Sequence, residues 1–492
     1  MAEEAHCVLT LPLITEPWQD DILEKRFIIM EHLQNSLIAL ELRKLKNLER
    51  TKAWRSLQQA IGEGPKEQRS TLYRQRTKML RDAGFTEFEF KSDITPMQKH
   101  FIQHIANHMV FQTASDVWRA FDKFLYHGGK AVHFRRRGTL RSIASNEATS
   151  GMRYKDGVLY WDGGRCREKI RLALKVEKPR TDYEREMLKL PVKHFRIVRK
   201  WMKTRYKYYL QFNLAGYSVL KDRPIGTGRV GIDIGTQSIA ISSEQKVCLL
   251  ELADKVNPNY AKLLQLQRAM DRSRRATNPD NYNEDGTVRR GVKLRWHYSN
   301  RYRILAGKAR ELQRKNADIR KYQHTCLANV ILALGSEIYV EPMDYRALQK
   351  RAKKTEKNKE GRFKRKKRFG KSLANKAPAS LLLILQNKIK RLGLADLHKV
   401  DKWKYRASQY DHLSQKYRRK KLSQRTQKLQ NGDIVQRDLY SAFLLMNADE
   451  TLTYPEQELC SQSYAHFKRL HDIEIQRLQN DEKPHLSSFG IS

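Results

Sequence analysis

Arg229-Val230-Gly231-Ile232-Asp233-Ile234-Gly235-Thr236 is the stretch on which the reading of this chain turns. As a strand it puts Val230, Ile232 and Ile234 on one face and Gly231, Asp233 and Gly235 on the other. The glycines beside the acid leave room for a phosphate and metal ions to approach. Turns at 235–237 and 244–246 lead into two more short strands, 238–243 and 247–252. Helices follow over 260–273 and from about 293 to 334, the second with an apolar stripe at Leu305, Ala309, Leu312, Ile319, Cys326, Val330 and Leu334. A further strand, Ile338-Tyr339-Val340-Glu341, ends on an acid, and Pro342 stops it. A third acid, Asp438 in Gln436-Arg437-Asp438-Leu439-Tyr440, opens a last helical region.

Carboxylates are costly to cluster unless cations lie between them. Three strands, helices, a strand ending on an acid and a helix starting on one is the element order of a ribonuclease-H-like fold. Such a fold brings Asp233, Glu341 and Asp438 together. Carboxylate oxygens suit Mg²⁺, a hard cation. Two divalent ions about 3.5–4 Å apart can activate water and stabilise the leaving oxygen of a phosphodiester.

The bulk properties agree. The chain has 492 residues, with 97 Lys and Arg against 54 Asp and Glu, a net charge of +43. That length suits roughly two to four domains. With 40% hydrophobic residues the chain can build sizeable cores, which excludes a disordered protein. A charge excess of this size self-repels unless an anionic partner relieves it, and nucleic acid is the natural one. No amphipathic anchor with a polybasic flank marks a membrane surface, and the longest apolar runs, such as 381–385, are too short to span a bilayer. The segment Met1-Ala2-Glu3-Glu4-Ala5-His6 lacks the pattern of a signal peptide. The five cysteines, Cys7, Cys166, Cys248, Cys326 and Cys460, form no CxxC and suit a reducing compartment. These features predict a cytoplasmic protein, in a prokaryotic cytosol or nucleoid.

The fold class expected is α/β with all-α and β-barrel modules. Residues 1–19 give a first strand, 20–130 a helical recognition domain with helical character over 54–61, 72–80 and 98–125, and 131–225 a small β-barrel that includes a hairpin at 152–161 with an Asp156-Gly157 turn. Residues 226–400 are the first part of the nuclease-like domain, 401–435 a basic insert, and 436–492 its last part, loose beyond Asp481.

The motifs resemble those of the TnpB family of transposon-encoded nucleases and of their relatives, the compact type V CRISPR effectors. Gly231-Ile232-Asp233-Ile234-Gly235 resembles the family's first RuvC motif, Val340-Glu341-Pro342-Met343-Asp344 the second, and Arg437-Asp438-Leu439-Tyr440-Ser441-Ala442 the third. The resemblance covers roughly 195–445; the N-terminal half matches in architecture alone. It implies a RuvC-like nuclease domain of ribonuclease-H type, an oligonucleotide-binding-type wedge barrel, a structured guide RNA and a double-stranded target DNA with a short flanking motif. It also implies that Asp233, Glu341 and Asp438 bind two Mg²⁺ ions, or Mn²⁺ in their place, with Arg437 close to the scissile phosphate. One departure is clear: the paired cysteines that the family carries between its second and third motifs are absent from 401–435, so no zinc is expected. Either the ribbon persists without zinc or a basic hairpin replaces it, and His412 there reads as a surface residue rather than a ligand.

Four basic segments are candidate nucleic-acid contacts. Arg199, Lys200, Trp201, Lys203, Arg205 and Lys207 mix cations with aromatics. Arg268, Arg272, Arg274 and Arg275 cluster near a helix end. Lys364, Arg365, Lys366, Lys367 and Arg368 lie in a dense basic run after Glu341, and Lys416, Arg418 and Arg419 lie in the insert. The function these features predict is RNA-guided DNA cleavage by a monomer. The alternatives are an RNA-guided DNA-binding repressor with little cleavage and an RNA-independent transposase of the same fold.

Overall fold

A computed structural model of the chain describes residues 6–491 except 150, 220–222, 352–355, 357, 359, 362–368, 422 and 483. It divides into two compact units, 1–219 and 220–492.

The first unit begins with strand β1 (His6–Ile14) and the long helix α1 (Pro17–Glu49), followed by α2 (Lys52–Glu63), α3 (Arg69–Asp82), α4 (Glu87–Lys99) and α5 (Asn107–Tyr126). Pro17 at the first helical position and a capping box between Glu16 and Gln19 start α1. The predicted helix over 98–125 is broken: α4 ends at Lys99, and α5 starts only at Asn107. Strands β2 (Ser142–Ala144), β3 (Met152–Lys155), β4 (Val158–Trp161) and β5 (Leu172–Val176), the short helix α6 (Asp182–Met187), and β6 (Val192–Met202) and β7 (Arg205–Ala215) follow. They join β1 in one seven-stranded sheet of order β2-β6-β7-β1-β5-β4-β3. The β3–β4 turn uses Asp156 and Gly157, both at positive φ, as expected for a two-residue hairpin. The sheet curls far enough for Tyr154 on β3 to meet Phe212 on β7 edge to face at 4.9 Å. Its edges β2 and β3 do not pair among the described residues, so the expected barrel is a half-barrel. Buried Arg26 of α1 fastens helices to sheet: its guanidinium donates to the carbonyls of Trp161 and Ile170, both at 2.6 Å, and stacks on the Trp161 ring.

The second unit is a five-stranded sheet of order β10-β9-β8-β11-β12, with helices on both faces. Strands β8 (Arg229–Ile234), β9 (Ser238–Ser243) and β10 (Val247–Glu251) form an antiparallel meander. Helices α7 (Asn257–Thr277) and α8 (Asn300–Leu334) lead to β11 (Glu337–Val340), which pairs parallel to β8. The short helices α9 (Tyr345–Leu348) and α10 (Gly370–Lys376), then α11 (Pro378–Leu392), precede β12 (His398–Lys399). Two small hairpins, β13 (Tyr410–Asp411) with β14 (Lys416–Tyr417) and β15 (Thr426–Lys428) with β16 (Ile434–Gln436), fill the insert, and α12 (Arg437–Met446) and α13 (Gln457–Gln479) close the unit. One face of the sheet, with Val230, Ile232, Ile234 and Ile241, packs on Ile331 of α8 and Leu381, Leu385 and Ile389 of α11. The other packs on α12 and α13.

Three expectations need correction here. Helix α8 starts at Asn300, not near 293, because Ser299 caps it and Asn278 binds the backbone of His297 on both sides. Its buried set in the C-terminal half is His324, Ala328, Ile331 and Leu332, while Cys326 and Val330 are exposed. A polar residue enters the stripe because the His324 ring meets the Lys376 carbonyl at 2.8 Å. The end beyond Asp481 is anchored rather than loose: Phe489 is buried, and its carbonyl accepts from Gln436.

Candidate active site

The site is built by register. β11 runs parallel to β8 with Val340 opposite Ile232, so the next residue, Glu341, comes level with Asp233 on the neighbouring strand. Helix α12 crosses the same face. A Cβ on Gly231 would overlap the carbonyl oxygen of Ala442 and the backbone nitrogen of Met446. The bare Cα therefore lets the helix lie against the strand. One turn before Ala442 is Asp438, and two residues beyond Gly231 is Asp233. The space expected at Gly231 for a phosphate is thus filled by the helix, and the glycine's role is to seat the third acid. At Gly235 the nearest neighbour of an added Cβ is the Ser238 hydroxyl, at 3.3 Å.

Electrostatics report the same convergence. Burial and the charges of Asp438 and Glu341 push the Asp233 carboxyl well above its ordinary range, and Arg437 offsets part of this. Burial likewise raises Glu341, against Lys402. The three acids are half-buried. The donor set is carboxylate oxygen only, which matches the chemistry of a hard divalent cation. Among the described residues, however, no three His, Cys, Asp or Glu are grouped closely enough to hold a metal ion. The cation paired with Asp438 is the Arg437 guanidinium. Its Nε and Nη2 donate to Asp438 Oδ1 at 3.1 and 3.0 Å, and its Nη1 to the Gln424 carbonyl at 3.1 Å.

Gln436 holds the helix start. Its side chain accepts from the Leu439 amide at 2.7 Å, and its own amide donates to His471 Nε2 at 2.9 Å. Three nearby residues escaped the sequence reading. Tyr345, on α9, points its hydroxyl at the Ile234 carbonyl at 3.5 Å, and burial beside Asp233 pushes its pKa up. Lys420 donates to the Ser408 carbonyl and to Gln427, and burial, with Arg437 adding to it, lowers it to about 8. Lys402 is the third. Tyr345 directly follows the second motif, four residues after Glu341; Lys402 and Lys420 belong to no short motif, and only the folding of the insert brings them near Glu341 and Arg437 respectively.

The basic candidates separate into groups. Arg199 is a structural residue: it is buried, donates to the Leu140 carbonyl at 2.8 Å, and lies 4.4 Å from both the Phe27 and Tyr206 rings. Strand alternation turns it inward, whereas Lys200, Trp201, Lys203, Arg205 and Lys207 are exposed. Lys200 and Lys207 face each other across β6 and β7, a like-charge pair that a bound anion would relieve. Arg268 and Arg272 are exposed on α7. Arg274 and Arg275 instead bind Asp271 at 2.7 and 2.8 Å, and Arg275 also donates to the Gly286 carbonyl, so both brace the 278–298 loop. Lys416, Arg418 and Arg419 are exposed. Lys364, Arg365, Lys366, Lys367 and Arg368 lie outside the described residues.

His412 is not at the surface. It is 1% exposed, and its Nδ1 meets the Tyr440 hydroxyl at 2.6 Å. Burial lowers its pKa. The ring packs against Tyr440, Phe443 and Tyr464, so it docks the insert on α12.

No family model matches the sequence, and no curated protein does. Among solved structures the chain is similar to a Cas12f1-sgRNA-target DNA complex at TM-score 0.46 and 11% identity, over 90% of this chain and 99% of that one. It is similar to a CRISPR-Cas12f ternary complex at TM-score 0.26 and 11% identity, over 87% of this chain and 82% of that one. At TM-scores this low the likeness adds no weight to the reading of the site, which stands on its own residues. No helix among the described residues is long and apolar enough to cross a membrane.

Proposed function

We propose that this chain is an RNA-guided DNA endonuclease whose second unit is a RuvC-like, ribonuclease-H-type nuclease domain. The observation that carries the reading is the convergence of Asp233, Glu341 and Asp438 from two adjacent strands and one crossing helix in a chain of net charge +43. Asp233, Glu341 and Asp438 would hold two Mg²⁺ ions, which when bound activate water and stabilise the leaving oxygen of a phosphodiester. The chain's own residues prepare the site. Gly231 and the Gln436 cap fix Asp438 against Asp233. Arg437 holds Asp438 in place and adds a positive charge where a phosphate would arrive. The exposed cations of both units would grip guide RNA and target DNA through their phosphates, leaving sequence to base pairing.

The test uses the full chain purified with its RNA. Asp233→Ala and Glu341→Ala should each lower cutting of a matched DNA by at least about a hundredfold, on the scale of the several kcal/mol such a centre supplies. Variants that cut as well as the parent would remove the site assignment. The second reading, an RNA-guided DNA binder that does not cut, is favoured by one observation: the Arg437 guanidinium is paired with Asp438, a carboxylate that a metal ion would need. Tight binding of matched DNA with no Mg²⁺-dependent strand scission would establish it.

A further inference from the structure

Trp403 holds its indole out to solvent, 79% exposed, on a turn that is fastened on every side. Just before the turn, the Val400 amide donates to the carbonyl of Val340, the residue preceding Glu341, at 3.2 Å. The Asp401 amide donates to the Leu452 carbonyl at 2.8 Å. The Asp401 carboxylate accepts from the amides of Trp403 and Lys404 at 2.9 and 3.3 Å. After the turn, fully buried Tyr405 sends its hydroxyl to the Leu444 carbonyl on α12 at 2.6 Å. The turn is therefore tied both to the strand that delivers Glu341 and to the helix that delivers Asp438.

One cation lies over the ring: the Lys402 ammonium is 5.0 Å from the indole centroid. A second ring, Tyr417, is 37% exposed, donates its hydroxyl to the Lys404 carbonyl at 3.4 Å and carries the Arg406 guanidinium 4.2 Å from its centroid. An indole held rigidly in water gives up the burial that such a ring normally gains. Flanked by Lys402, Lys404 and Arg406 beside a set of acids, it has the make-up of a stacking platform for a polyanion with aromatic faces.

We infer that the 401–406 turn is a binding site for an unpaired nucleobase, which stacks on Trp403 while Lys402 meets the flanking phosphate, so that the next phosphodiester reaches Asp233, Glu341 and Asp438. The inference rests on the nuclease reading and extends it. The strand presented for cutting is single and unstacked at that point, and Trp403 is a positioning residue for it. Recognition by stacking is tolerant of sequence, as a guided cutter requires.

Two measurements on the full chain with its RNA test it. The first is made in EDTA, where no cutting occurs, by photocrosslinking a single-stranded DNA oligonucleotide that carries 5-iodouracil. The expected crosslinked peptide contains Trp403; Trp403→Ala removes that crosslink and Trp403→Phe keeps it. Crosslinks confined to other peptides overturn the inference. The second is cleavage in Mg²⁺ of strands with one abasic position walked past the cut. The parent should show one position where loss of the base raises KM about tenfold with little change in kcat. Trp403→Ala should show that rise on the intact strand, no further response to the abasic position, and an unchanged thermal melt. Identical abasic profiles in parent and variant overturn the base site and leave the nuclease standing. A parent that never cuts but crosslinks through Trp403 overturns the nuclease and leaves the base site standing.

Discussion

Gly231 shows how much a single missing Cβ can decide. Its backbone is not strained; it is crowded, with α12 lying directly on it. Gly231→Ala should push the helix off the strand, costing about 1–3 kcal/mol or more, and should abolish cutting. Thermal melting and cleavage by the same sample check both. From sequence the glycine read as open space because a strand seen alone does not show what crosses it. The acids themselves were legible, since alternation puts Asp233 on its own face of an apolar strand. Arg199 was misread, because its neighbours Lys200 and Lys203 are exposed and strand period alone could not say which face was inside. Glu41 of α1, which drew no notice in the sequence, makes a pH prediction. It is fully buried beside Lys44 and Asp93, and burial, then Asp93, raises its pKa from 4.5 to about 8. The folded state therefore binds its proton more tightly than the unfolded chain does. This group's contribution to stability is fully present below about pH 4.5 and fades as pH rises towards 8. Glu41→Gln should melt higher than the parent at pH 8 and differ little at pH 4.5, as calorimetry at the two values would show.

At the scale of elements, the helix that carries Asp438 depends on partners on all sides. The Gln436 cap, the C-terminal tail through Phe489, and the insert through His412 and Tyr440 each hold it. The order of strands and helices was legible because period two changes clearly to period 3.6 at 257. The start of α8 was not, because Ser299 caps it only once Asn278 has folded the preceding loop back. The insert was the least legible part. Its contacts are aromatic and polar: Tyr410 against Tyr417 at 4.9 Å, Gln427 donating to the Tyr410 carbonyl, and His412 on Tyr440. These should close it without metal. A strong zinc chelator should then leave the thermal melt unchanged, while His412→Ala should lower stability by roughly 1–3 kcal/mol through the lost ring and its Nδ1 bond to the Tyr440 hydroxyl, which keeps only the residue 412 amide as partner. A chelator-dependent melt would contradict this account.

For the whole molecule, 97 Lys and Arg against 54 Asp and Glu leave a net charge of +43 for an anionic partner to relieve. Binding to guide RNA should therefore weaken steeply with salt, with a log–log slope on the order of −0.7 for each phosphate neutralised on a single strand. Filter-binding titrations between low and moderate salt measure it, and a flat profile would show that the exposed cations of β6, β7 and α7 do not contact phosphate. Net charge was the most legible property of all, since it needs no fold to be read. The strand that carries Asp233 and the helix that carries Asp438 are separated by most of the second unit's length, yet the contact at Gly231 requires both. On the nuclease reading proposed above, a copy that ends before residue 438 lacks the third acid and should not cut, so activity waits until α12 has been made and has docked on β8.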